Sequence, residues 1–135
     1  MGVVKALKAL AALPPRLRTP AVTGTLEAGT RYLLRHHVHK RCHDTTQVAR
    51  PGWLRLGFPL MYQTDVLEIL RLLTSLGVRD DRMAEAIDHV LRKADADGRL
   101  TLEQTFNDRF RVRVDVKGRP SRWLTLEALR MLKAA

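Results

Sequence analysis

The sequence predicts a mainly α-helical domain of about five helices with one small β-hairpin near residues 100–116. Three observations carry this expectation. Apolar residues return at helical spacing in five segments, and proline, glycine or a polar cap separates one from the next. A single segment alternates with period two, the strand signature. Helical and extended segments do not alternate along the chain, so no parallel α/β sheet is expected.

The first helix is expected over residues 3–13, with Val3, Ala6, Leu7, Leu10 and Leu13 on one face. Pro14 and Pro15 stop it, because proline cannot donate the hydrogen bond that continuation needs. A second helix starts with Thr19 as cap and Pro20 at the first helical position, and runs through Leu26, Tyr32, Leu33 and Leu34 to about His39. Gly24 and Gly29 each weaken it by up to ~1 kcal/mol. Residues 40–59 read as a long loop, broken by Asp44, Pro51, Gly52 and Pro59 and packed down by Trp53, Leu54, Leu56 and Phe58.

Residues 60–76 give the strongest helical pattern. Val66, Leu67, Ile69, Leu70, Leu72, Leu73 and Leu76 cover most of its circumference, leaving a polar stripe at Asp65, Glu68, Arg71 and Ser75. Such a helix belongs inside a fold, and Gly77 suits a left-handed C-cap. Asp80 opens a fourth helix to about Lys93, with Met83, Ala84, Ile87, Val90 and Leu91 inward; the short link from Gly77 makes the pair antiparallel. Phe110, Val112, Val114 and Val116 then alternate with Arg111, Arg113 and Asp115. Leu100, Leu102 and Phe106 are the expected partner strand, with the bend at residues 107–108. Ser121 caps a last helix that carries Trp123, Leu126, Leu129 and Leu132.

At 135 residues the chain has the size of one domain, taken as residues 1–135. Lys plus Arg number 24 against 14 Asp plus Glu, a balance of +10 that attracts polyanions. The charge is spread over nearly every segment, so nucleic-acid binding has only the Arg109, Arg111 and Arg113 side of the expected hairpin to stand on. The single Cys42 excludes an internal disulfide and fits a reducing, cytoplasmic setting. No apolar run approaches the ~20 residues of a membrane span. Lys8 interrupts the apolar start of the chain, which argues against a signal peptide.

The order of parts resembles a known architecture. WLRLGFPLMYQTDVLEIL, residues 53–70, is similar to the loop and inner helix of bacterial prenyltransferase and squalene-cyclase repeat proteins, and GRPSRWLTLEALRML, residues 118–132, to their final helix. VVKALKALAALPPRLRTP, residues 3–20, fits the preceding repeat. The resemblance implies an antiparallel helical-repeat arc, a partial α/α toroid, whose missing half is supplied by more chain or by a second copy. The repeat signature of that family is reduced to Gly98, with Ala94 and Leu100 where Gln and Trp are expected. Its Asp-x-Asp-Asp acid motif has no counterpart here.

Three groups are candidates for chemistry. His36, His37, His39, Cys42 and His43 form a cluster in which His39 and His43 share a helix face beside Cys42; nitrogen and sulfur ligands suit zinc, and the other reading is a basic helix end. Asp95, Asp97 and Gly98 imitate part of a calcium loop, but Lys93 and Gln104 occupy its first and twelfth positions, so a helix-to-hairpin turn fits better. The resemblance implies that Tyr62, Asp65, Glu68, Arg122 and Trp123, with Trp53 and Phe58 nearby, line the rim of a toroid cavity. A carboxylate there, Asp65 first, can have a raised pKa and act as an acid; the alternative is ion pairing of Asp65 and Glu68 with Arg71 or Arg122.

The leading expectation is a non-catalytic helical module that binds a protein partner or an apolar ligand on a concave face, without a cofactor. The alternatives are a remnant or subunit of a terpenoid or prenyl-type enzyme acting on a lipid through Asp65, and nucleic-acid binding through the arginine-rich surface.

Overall fold

The computed structural model describes residues 2–135. Its five α-helices are α1 (Gly2–Ala11), α2 (Pro20–Arg35), α3 (Val66–Ser75), α4 (Ala84–Arg92) and α5 (Arg122–Ala134). Two small antiparallel strand pairs accompany them, β1 (Lys40–Arg41) with β2 (Asp44–Val48), and β3 (Leu100–Thr101) with β4 (Pro120–Ser121). The mainly α expectation therefore stands. No described helix is long and apolar enough to cross a membrane.

α3 is the centre of the fold. Val66, Leu67, Ile69, Leu70, Leu72 and Leu73 are all buried, and α1, α4 and α5 pack against it. An apolar circumference demands this, since any side left open would expose leucine or isoleucine to water. α1 also lies on α2, and the approach is close: a Cβ on Gly29 would sit 2.4 Å from the Leu7 side chain. The glycine that weakens α2 locally thus lets α1 dock.

Several boundaries and faces differ from expectation. α1 buries Val4 and Leu7, while Val3 and Leu13 are exposed. α2 ends at Arg35 in a Schellman arrangement: the Val38 N–H donates to Leu33 O, the His37 N–H donates to Leu34 O, and His37 takes a positive φ. The helix therefore does not reach His39, and residues 40–48 form a hairpin. α3 begins at Val66, because Asp65 caps it. Asp80 caps a short 3-10 turn (Asp81–Met83) that leads into α4; Met83, Ala86 and Val90 are buried, whereas Ala84 and Leu91 face solvent.

The largest shift concerns residues 110–116, which are not a strand. The free edge of the 100–102 segment is taken by residues further on: Leu102 N–H donates to Arg119 O, and Gly118 N–H donates to Leu102 O. Residues 106–116 are left as an excursion with Val112 and Val114 exposed. On α5 the buried residues are Leu124, Ala128 and Met131, so Trp123, Leu126, Leu129 and Leu132 form an outward face.

Candidate functional site

A cleft of about 570 Å³ opens between α1, α3, α5 and the loop of residues 57–61, within the usual range of small-molecule sites. Its apolar wall comes from Phe58, Leu60, Leu67, Leu72 and Leu124. Its polar row comes from Lys5 and Lys8 on α1, Glu68 and Arg71 on α3, and Glu127 on α5. Helical spacing makes this row. Lys5 and Lys8 lie three apart on α1, and Glu68 and Arg71 lie three apart on α3, so each pair shares one face.

The charges are matched in a definite way. Glu68 is buried and receives Lys5 Nζ on both oxygens, at 2.7 and 2.8 Å, and Lys8 Nζ on Oε1 at 2.9 Å. Arg71 donates instead to Glu127 at 2.8 Å. Glu68 is thus ion-paired, with the lysines of α1 in place of Arg71 or Arg122. A buried carboxylate held by two ammonium groups orients α1 against α3, and leaving it with neither would be costly.

Asp65 sits at the inner end of the cleft. It is fully buried, and each of its oxygens accepts a backbone N–H: Glu68 N at 2.8 Å on Oδ1 and Gly57 N at 2.9 Å on Oδ2. One carboxyl group thus starts α3 and holds the 55–58 loop against it. Burial pushes its pKa up to about 7, against the opposing pull of the Gly57 and Glu68 N–H groups, and the Glu68 charge adds to the rise. Gly57 is packed so tightly that a Cβ would lie 2.6 Å from the Gln104 side chain. Phe58 is stacked on Trp123, with ring centroids 5.2 Å apart and planes at 8°.

Of the residues expected at the rim, Phe58, Asp65 and Glu68 line the cleft, and Trp123 supports it through Phe58. Trp53, Tyr62 and Arg122 do not line it. Trp53 packs against the core, Tyr62 meets Phe106 edge-on at 5.3 Å on the outside, and Arg122 is exposed. Sequence reasoning missed Lys5, Lys8, Leu124 and Glu127. The signal was the lysine pair beside the apolar stripe of α1, which reads as a solvated face until α3 supplies Glu68.

The histidine cluster is dispersed. His39 is buried, its Nδ1 has no hydrogen-bond partner, and burial together with Lys40 lowers its pKa. Cys42 and His43 are exposed. With β1 in place of a longer helix, His39 and His43 no longer share a helical face. His36 Nδ1 is 2.9 Å from Lys40 O. Among the described residues no three His, Cys, Asp or Glu side chains are grouped to hold a metal ion. Asp95 accepts the N–H groups of Asp97 and Arg99, and Asp97 pairs with Arg99, so the would-be calcium loop is a turn closed on itself around Gly98 at φ +75°. Arg109, Arg111 and Arg113 are exposed on the excursion, with no sheet face to align them.

No protein-family model matches the chain, and no curated protein or solved structure shows significant similarity to it.

Proposed function

We propose that this chain is a non-catalytic helical module that holds an apolar ligand in the cleft between α1, α3 and α5. The observation that carries the reading is the cleft itself: about 570 Å³ walled by Phe58, Leu60, Leu67, Leu72 and Leu124, with its buried charge already paired. A groove of this size and lining favours a small apolar molecule over a flat protein surface. The resemblance to prenyltransferase and squalene-cyclase repeats agrees with a lipid-like occupant, and a second copy or further chain would complete the arc. Native mass spectrometry reads both points at once, as a dimer or as an added lipid mass. The single exposed Cys42 fits a reducing, cytoplasmic setting.

The test is titration with dodecanol, followed by the fluorescence of Trp123 and Trp53. Saturable binding that is lost in Ala12→Trp, a substitution at an exposed residue on the cleft wall, is the expected outcome. Equal binding by Ala12→Trp would place the ligand elsewhere and end this reading.

A second reading takes Asp65 as an acid toward an isoprenoid olefin in the same cleft, and it rests on a carboxyl whose proton is retained to about pH 7. Product analysis after incubation with a C15 isoprenoid alcohol tests it. Turnover that persists unchanged in Asp65→Asn removes Asp65 from the chemistry.

A further inference from the structure

The polar row of the cleft is unevenly matched, and the imbalance carries chemical information. Lys5 and Lys8 bring two ammonium groups to the single carboxylate of Glu68, whereas Arg71 pairs with Glu127. Glu127 is shared besides with Arg130 at 3.0 Å, and Asp65 spends both oxygens on backbone N–H groups. Lys5 reaches both oxygens of Glu68. Lys8 gives Glu68 a single hydrogen bond, and its side chain is 61% exposed. An ammonium carries three donors, so Lys8 keeps donor capacity at the mouth of an apolar cleft.

We propose that the occupant is an amphiphile with an apolar tail and a singly charged anionic head, a carboxylate, whose head sits on Lys8 and whose tail runs along Phe58, Leu67, Leu72 and Leu124. This rests on the reading of the cleft as an apolar ligand site and names the class of ligand. A cationic head would meet Lys5 and Lys8 and be repelled. A neutral head would leave the spare Lys8 donors in water and gain nothing from them. A carboxylate accepts charge-assisted hydrogen bonds, the stronger kind, from the Lys8 donors. Glu68 then has a clear part: it draws the two lysines to the cleft and leaves the outer one with donors to spare.

The experiment compares dodecanoate, dodecanol and dodecylamine, each below its aggregation concentration, on the full chain and on Lys8→Met. Lys8 is a surface residue, and Lys5 alone keeps Glu68 paired in the variant, so the fold is retained. Dodecanoate should bind the parent about tenfold more tightly than dodecanol, a difference of 1.4 kcal/mol, and dodecylamine should bind most weakly. Lys8→Met should remove the preference for dodecanoate over dodecanol. Lys8→Glu should invert the order of dodecanoate and dodecylamine. Equal affinities of dodecanoate and dodecanol for the parent, or an unchanged preference in Lys8→Met, would overturn the anionic head and leave the apolar cleft standing. Binding of none of the three would overturn both.

Discussion

Asp65 shows how much one side chain can decide. Its two oxygens hold the first turn of α3 and the Gly57 N–H, so Asp65→Ala removes a cap and orphans a buried donor. The expected loss is about 2–4 kcal/mol, read as a fall in the urea midpoint at constant slope. Its titration has a definite sign. The native carboxyl keeps its proton up to about pH 7, whereas the unfolded one releases it near 3.8. Between those values the native state binds more protons, so this group makes stability fall as pH rises from 4 to 7, and then level off. His39 acts the other way. Its native pKa lies below 6.5, so the unfolded state takes up the proton first and stability is lost as pH falls below 6.5. The two slopes oppose each other in one window, and single variants separate them. Urea midpoints of Asp65→Asn should rise from pH 5 to 7, and those of His39→Leu should fall over the same range. Identical pH profiles for parent and both variants would rule out these groups as the source.

Elements were legible in the sequence where backbone and side-chain signals agreed. α3 and α2 end in the same Schellman arrangement, Val78 N–H to Leu73 O and Gly77 N–H to Thr74 O in one, Val38 and His37 to Leu33 and Leu34 in the other. Gly77 announced the first ending. His37 hid the second, because a non-glycine residue at φ 43° carries no sequence mark. His37→Gly should therefore stabilise the chain by about 0.5–1 kcal/mol, measured by thermal or urea unfolding. The start of α3 was readable as well: Asp65 three residues before Glu68 is the pattern of a capped N-terminus. The expected start at residue 60 followed the apolar count past it. Residues 110–116 misled for a different reason. Alternation shows what a strand would bury, and it cannot show that Arg119 and Gly118 already occupy the pairing edge of Leu102. On α5 the periodic set Trp123, Leu126, Leu129 and Leu132 was visible but faces outward. Met131→Ala should cost about 2–5 kcal/mol as a core truncation, whereas Leu129→Glu should stay within ~0.5 kcal/mol. The reverse order in urea unfolding would mean that the outer face is the buried one.

At the scale of the molecule, the cleft joins the two ends of the chain. Lys5 and Lys8 near the N-terminus, Glu68 and Arg71 at the centre, and Glu127 in the last helix stand around one space. Two ion-pair sets cross it, α1 to α3 through Glu68 and α3 to α5 through Arg71 and Glu127. This is also why half of the site escaped the sequence: residues 56 to 63 positions apart become neighbours only through the packing of α3. A ligand in that space touches three helices that must separate on unfolding, so it binds the folded chain and has nothing comparable to bind in the unfolded one. Mass action then sets its effect on global stability. Dodecanoate at a hundred times its dissociation constant should stabilise the chain by about 2.7 kcal/mol, and at a thousand times by about 4.1. The urea midpoint should climb with the logarithm of ligand concentration, and Ala12→Trp should flatten that climb without lowering the ligand-free midpoint by more than ~0.5 kcal/mol in free energy. A ligand seated only on the exposed α5 face would give a climb that Ala12→Trp leaves intact and Leu129→Glu abolishes, so the two variants together assign the bound molecule to the cleft or to the outer helix face.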